Sequence, residues 1–224
     1  MGKDGQEGGY SNEENVYVNI IKPGQNMVAN GNFSSGTNLW LWTVGGTGSA
    51  GWKITNGVSR FDITNGGTSL ASIQLRQAGI PLIQSNKYVF EFDAWSDAPR
   101  YIEAKVAQEV SPNFNYSRVG NSYVTPIPTH FRYVFTMLEA SDFNCRVVFN
   151  LGTSANDVFL DNVSLFNPPP GDFNLDGRVD LRDLAFLAGD WLKQQPNLVS
   201  ELNADGKVDF MDFGILGDSW TGSP

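Results

Sequence analysis

The chain has 224 residues, with 24 acidic against 15 basic side chains, a formal net charge of −9 at pH 7 and a pI near 4.5. That balance argues against nucleic acid, whose binding relies on clustered Lys and Arg; one His and one Cys are too few for zinc, Cys/His or Ser-His-Asp chemistry. A hydrophobic content of 41% fits a globular chain with one large or two modest cores, and no apolar run approaches transmembrane length.

Residues 1–25 read as a lead-in. Residues 1–15 are polar and rich in Gly, Asn and Glu, as in a flexible segment. Val16–Ile21 is a short β-prone run closed by Pro23-Gly24, either an edge strand or the tail of something upstream. The first residues contain no signal-peptide apolar core; a cytoplasmic protein and a piece of a longer secreted one would share this feature. From 26 to 167, short β-prone segments alternate with turn dipeptides such as Asn30-Gly31, Gly45-Gly46 and Asn56-Gly57. No long helical period appears, so the expected fold is an antiparallel sandwich or barrel.

A two-residue period divides each segment into an inner and an outer face. Ile73 and Leu75 point one way, Gln74 and Arg76 the other. Tyr88, Phe90, Phe92 and Ala94 make a core face, leaving Glu91, Asp93 and Trp95 opposite. Ile102, Ala104 and Val106 face in, while Tyr101, Glu103 and Lys105 face out. Cys145, Val147, Phe149 and Leu151 are inward, with Arg146, Val148 and Asn150 outward. Cys145 is thus expected to be a buried, inert thiol. An aromatic ring flanked by planar hydrogen-bonding side chains suits a sugar, which offers an apolar C–H face and a rim of hydroxyls. The same residues would also serve as an ordinary solvated outer face.

Asn26–Phe33, Ser72–Gln77, Tyr88–Ala94 running into Ser96–Arg100, Val148–Gly152 and Val158–Leu165 together resemble carbohydrate-binding modules of the family 4/9 type. The resemblance covers about 26–167 and implies a jelly-roll β-sandwich, mainly β, that binds one glycan chain on its concave face. It implies cleft residues at Gln74, Arg76, Trp95, Arg146 and Asn150, with Tyr101 beside them, and a structural calcium near Asn32 and Asp161. Ser34 stands where such modules often carry Glu, which weakens that metal site. Trp40, Trp42 and Trp52 are either cleft walls or core anchors; Arg100 and Tyr116 are placed to reach a rim.

Residues 168–171 form a linker whose three prolines favour a stiff polyproline II spacer of about 3 Å per residue, expected to hold two modules apart. In 172–224 the loop Asp172–Asp183 puts oxygen donors at positions 1 (Asp172), 3 (Asn174), 5 (Asp176), 9 (Asp180) and 12 (Asp183), with Gly177 at 6 and the Arg178 carbonyl at 7. This is the spacing of an EF-hand calcium loop. It recurs with Glu201, Asn203, Asp205, Gly206, Lys207, Asp209 and Asp212. Leu184, Phe186, Leu187, Trp191 and Leu192 follow the first loop, and Phe213, Ile215, Leu216 and Trp220 the second, at helical spacing. Each short helix needs the other, so the halves are expected to pack about a local two-fold. The segment resembles a type I dockerin, which implies a small all-α paired EF-hand-like domain, two calcium ions and a cohesin-like protein partner. Glu201 replaces the usual Asp at position 1, and positions 10 and 11 are Leu181-Arg182 and Phe210-Met211 where cohesin-binding dockerins often have Ser or Thr. A calcium-stabilised module packing on the sandwich or on another copy fits the same residues.

These features lead to a non-catalytic part of a secreted polysaccharide-degrading enzyme, binding a plant- or algal-type polysaccharide of the β-glucan or xylan class. The alternative is a small lyase or hydrolase with a carboxylate pair drawn from Glu91, Asp93 and Glu103, spaced about 5–10 Å across a cleft. An adhesion module without a glycan ligand is a third reading.

Overall fold

The computed structural model describes residues 22–195 and 198–222; the lead-in 1–15 and the run Val16–Ile21 lie outside the described residues. Among the described residues ten strands form: β1 (Leu41–Val44), β2 (Ser49–Thr55), β3 (Val58–Asn65), β4 (Ile73–Leu82), β5 (Lys87–Ser96), β6 (Arg100–Gln108), β7 (Asn121–Val124), β8 (Thr129–Thr136), β9 (Asp142–Asn150) and β10 (Val158–Phe166). Two helices follow, α1 (Leu181–Gly189) and α2 (Phe210–Asp218). The strands pair antiparallel in two five-stranded sheets, ordered β1-β4-β9-β6-β7 and β2-β3-β10-β5-β8. Few neighbours in either sheet are consecutive in the chain, so the chain crosses repeatedly between layers.

Alternation places the core as expected. Ile73, Leu75, Tyr88, Phe90, Phe92, Ala94, Ile102, Ala104, Val106, Cys145, Val147, Phe149 and Leu151 are buried between the sheets. Burial also pushes the Cys145 thiol well above its usual range, keeping it protonated and unreactive. Phe92 meets Phe149 edge to face across the layers, ring centres 5.1 Å apart. The three N-terminal tryptophans settle as anchors. Trp40 is buried and donates its indole N–H to the Asn30 carbonyl (3.1 Å), Trp52 donates to the Ser59 hydroxyl (2.8 Å), and Trp42 packs on Phe61. Gly31 is required by proximity: a Cβ there would lie 1.9 Å from the Val163 carbonyl oxygen.

Arg100 is not on a rim. It is buried, and its guanidinium donates to the carbonyls of Gly152 (2.8 Å), Asn156 (2.7 Å), Ser154 (3.2 Å) and Leu151, tying the β9–β10 connection to β6. Tyr116 is likewise buried, its hydroxyl donating to Asp142 (2.8 Å).

The second unit is built of two loop–helix halves related by a 29-residue step. Asp180 and Asp209 are N-caps, accepting from the N–H groups of Arg182 and Met211, and Asp183 and Asp212 complete the capping boxes. The Val179 carbonyl accepts from the Thr221 N–H (3.0 Å), and the Val208 carbonyl from the Leu192 N–H (2.8 Å), giving the expected pseudo-two-fold. Val179, Leu187, Val208 and Leu216 form its core. The expected apolar stripe is only partly used: Phe186 and Leu192 are 52% and 69% exposed. Nine-residue helices have too little length to bury more.

The prolines do not hold the units apart. Beyond Pro168–Pro170 the chain turns at Gly171 (φ +86°), with the Asp172 N–H bonding the Pro169 carbonyl (3.1 Å). Loop one then touches the sandwich: Arg132 donates to the Asn174 and Leu175 carbonyls, and Gly177 packs on the Phe166 ring.

Arg100→Met leaves four carbonyls without their buried donor, and is expected to cost about 3 kcal/mol in urea denaturation while the sheets persist by far-UV circular dichroism.

Candidate functional site

The outer side of the β1-β4-β9-β6-β7 sheet is the strongest candidate. Pairing register arranges its side chains in rows across the strands. Tyr101 faces Tyr123 in one row; Thr43, Gln74, Asn150, Glu103 and Asn121 make the next. Leu41, Arg76, Val148 and Lys105 follow, then Ala78, Arg146 and Ala107. Rows two residues apart are separated by about 7 Å, so the face runs about 20 Å from the tyrosines to Arg146. Sequence reasoning placed Gln74, Arg76, Tyr101, Arg146 and Asn150 together, and the register brings them together.

Burial sets the electrostatics of this face. β9 is flanked by β4 and β6, so Arg146, Val148 and Asn150 are buried although they point away from the core. Asn150 is the junction: its carbonyl accepts from the Gln74 amide (2.8 Å), and its own amide donates to Glu103. Glu103 also meets Lys105 (3.0 Å). One row on, the Glu109 carboxylate receives Arg76 (2.6 Å) and Arg146 (3.4 Å), and Arg146 donates to the Asn113 side chain (3.0 Å). Fixed polar groups of this kind present donors and acceptors without reorganising. At the other end Tyr101 and Tyr123 are 58% and 52% exposed with ring centres 5.0 Å apart, giving an aromatic surface against which a sugar ring can stack.

Trp95 is not part of this face. It belongs to β5, in the other sheet, and stacks parallel on Phe159 at 5.3 Å, with the Arg60 guanidinium over the far side of that ring. Arg60 is held in turn by Asp157 (3.0 Å). Alternation showed correctly that Trp95 points away from the core, but a sandwich has two outer faces, and the two-residue period does not say which sheet a strand joins. Tyr123, the aromatic actually beside Tyr101, was missed because β7 is four residues long and has too little length to show a pattern.

Of the carboxylates suggested for a catalytic pair, Glu103 is divided from the other two. Glu103 stands on one sheet, Glu91 and Asp93 on the other. Glu91 pairs with Arg132 (2.8 Å); Asp93 is engaged by His130 (2.8 Å) and Asn162 (2.7 Å). Glu91 and Asp93 stay together on the outer face of β5, where His130 lies 4.0 Å from one and 2.8 Å from the other, so both are engaged in ion pairs.

Asn32 lines a pocket of about 360 Å³ with Asn26, Asn30, Asn162 and Ser164. Asp161 stands next to it on β10, opposite Asp93, with burial pushing its carboxyl upward.

In the second unit the acidic loops fold on themselves. Asp172 accepts from the N–H groups of Asp176 (3.0 Å) and Gly177 (2.8 Å); Asp183, fully buried, accepts from Phe173 (2.8 Å), Asn174 (3.2 Å) and Asp180 (3.0 Å). Glu201 accepts from Asn203 and Asp205 (both 3.1 Å), and Asp212 from Leu202 (2.6 Å) and Asp209 (2.8 Å). Gly177 and Gly206 take φ of +86° and +84° at the sharp turn. Burial, with Asp183 and Asp176 near, pushes the Asp172 carboxyl up to about 6. Among the described residues no three His, Cys, Asp or Glu side chains form a ready cluster; the loops mix carboxylates with the Asn174 and Asn203 amides and the Arg178 and Lys207 carbonyls. This all-oxygen set fits a hard cation in its donor chemistry.

Residues 25–157 match the family CBM_4_9, described as a carbohydrate binding domain. A stretch of 124 residues is 32% identical to a cellulose 1,4-beta-cellobiosidase of Acetivibrio thermocellus, covering 50% of this chain and 14% of that protein; the chain therefore spans only a small part of the curated relative. Among solved structures, one reported as "CBM4 structure and function" superposes with a TM-score of 0.59 at 23% identity, over 62% of this chain and 99% of that one. The second N-terminal cellulose-binding domain of Cellulomonas fimi beta-1,4-glucanase C gives 0.52 at 17% identity, over 64% and 94%. At these identities the structures establish the fold alone, a sandwich of two antiparallel sheets.

The Asn150 junction generates a direct test. Asn150→Asp sets a second carboxylate against Glu103, so stability at pH 7 is expected to fall by about 2 kcal/mol. The repulsion raises proton affinity in the folded state, so the deficit is present at high pH and is lost as pH falls toward 4. Denaturant titrations at the two pH values check this.

Proposed function

The chain belongs to the carbohydrate binding domain family CBM_4_9, and from that premise we propose that the outer face of the β1-β4-β9-β6-β7 sheet holds a single polysaccharide chain of the β-glucan or xylan class. Polysaccharide binding is the property of the family; the ligand class, the face and the residues are our reading. The observation that carries it is the juxtaposition of the Tyr101–Tyr123 pair with the fixed ladder Gln74–Asn150–Glu103. Rings stack on the C–H side of a sugar, and the ladder meets its hydroxyls. Trp95 is left out of the site, as it lies on the opposite sheet.

The two acidic loops are read as calcium sites. Asp172, Asn174, Asp176, Asp180, Asp183 and the Arg178 carbonyl would hold one ion; Glu201, Asn203, Asp205, Asp209, Asp212 and the Lys207 carbonyl would hold a second. A third, at Asn32 and Asp161, would have the Asn26, Asn30 and Asn162 side chains nearby. Bound calcium supplies positive charge that offsets buried, mutually repelling carboxylates. The protein's own groups do the rest: the capping boxes at Asp180 and Asp209 orient the helices, and the glycines make the turns. This unit is read as a dockerin-like docking module, with a cohesin-like protein or a second copy as partner. The support is the exposure of Phe210 (78%) and Met211 (66%) at the start of α2 and of Leu181 at the start of α1. The whole is read as part of a secreted polysaccharide-degrading enzyme, outside the cell where calcium is abundant.

Affinity electrophoresis tests the binding face. Soluble β-glucan or xylan should retard the protein; Tyr101→Ala should weaken retardation by roughly tenfold, and Trp95→Ala should leave it unchanged. Loss of binding in the Trp95 variant with retention in the Tyr101 variant would move the site to the other sheet. For the loops, a chelator should lower the melting transition of the second unit, and added calcium should restore it. A transition indifferent to both would refute calcium as its folding ligand.

A further inference from the structure

The Arg76–Arg146 end of the polar face is short of negative charge. Arg146 is only 8% exposed, and its charge partner is Glu109, at the long distance of 3.4 Å. Glu109 is shared, since Arg76 takes its other oxygen at 2.6 Å. The remaining nearby carboxylate, Glu103, is committed to Lys105 and Asn150. Three cations therefore face two carboxylates, in a chain whose net charge is −9. The buried Nε atoms of both Arg76 and Arg146 have no hydrogen-bond partner. Buried cationic donors left unpaired are costly, and native structures seldom keep them without a use.

The geometry of Arg76 shows what would complete the set. Among the described residues it donates only through Nη1, to Glu109; its Nε is buried out of a ligand's reach, which leaves Nη2 as the donor without a partner. A carboxylate accepts such a charge-assisted hydrogen bond roughly twice as strongly as a neutral hydroxyl does. Arg76 is partly exposed on a face whose other end offers the tyrosines. The two features lie two rows apart, on the order of 14 Å, a distance a chain of a few sugar units spans.

We propose that this face selects a carboxylate-bearing polysaccharide, a glycan chain substituted with uronic acid, whose carboxylate docks on Arg76 with Arg146 behind it. The main chain stacks on Tyr101 and Tyr123, and the acid group supplies the anion that Glu109 alone cannot. Lys105 contributes from the same row as Arg76. This assignment rests on the binding face proposed above, and it adds the charge of the ligand.

The test uses matched polymer pairs on two backbones: a glucuronic-acid-substituted xylan before and after chemical reduction of its carboxyls, and a C6-oxidised β-glucan beside its neutral parent. The acidic member of at least one pair should bind roughly tenfold more tightly, with an advantage that shrinks as salt rises. Arg76→Gln should abolish that advantage, so that the acidic and neutral members bind alike. Glu109→Gln, which frees both guanidiniums, should increase it. Equal binding of acidic and neutral members overturns the charge assignment while sparing the binding face. Failure to bind any of the four polymers overturns both.

Discussion

Phe92 and Phe149 meet edge to face in the middle of the molecule, and this contact joins the two strands on which the sandwich is organised. β5 and β9 lie toward the interior of their respective sheets, each flanked on both sides, so their inward residues are sealed between the layers. Their outward residues are then constrained by neighbours on both sides. On β9 this gives Arg146, Val148 and Asn150 almost no water, and a buried polar group without a partner is destabilising. The polar face is the consequence: Gln74 and Glu103 are where they are because Asn150 needs an amide and a carboxylate beside it. A surface that would otherwise be mobile and solvated is held in one arrangement by the requirements of the strand beneath it.

The same constraint explains how much could be read from the residues alone. Inward and outward positions on β4, β5, β6 and β9 followed from a local property, the two-residue period; every inward assignment agrees with burial, while the outward Arg146, Val148 and Asn150 are covered by the neighbouring strands. Partnership between strands is non-local. Trp95 and Asn150 both point outward, yet one stands beside Phe159 and the other beside Gln74, and no pattern within either segment carries that information. Glu103 was grouped with Glu91 and Asp93 for the same reason and is separated from them for the same reason. Tyr123 shows a different limit, since four residues of β7 hold too little periodicity to mark a strand.

The second unit behaved in the opposite way. Its spacing of oxygen donors and glycines is short-range, so the loop turns and the 29-residue pseudo-symmetry were legible, while the capping role of Asp180 and Asp209 was not singled out. Its relation to the sandwich was not. Three prolines suggested a spacer, but one left-handed glycine immediately after them reverses the chain, and loop one comes to rest against Arg132 and Phe166. Stiffness in a linker sets the path of a few residues; the residue that ends it sets the destination.

That resting place has a geometric consequence. Arg132 on β8 and Phe166 on β10 belong to the sheet opposite the tyrosines, so the molecule has a mounted back and an open front. Loop one of the second unit rests on that back sheet, opposite the face proposed for the polysaccharide. The contact at Arg132 and Phe166 therefore leaves Tyr101 and Tyr123 uncovered on the other side.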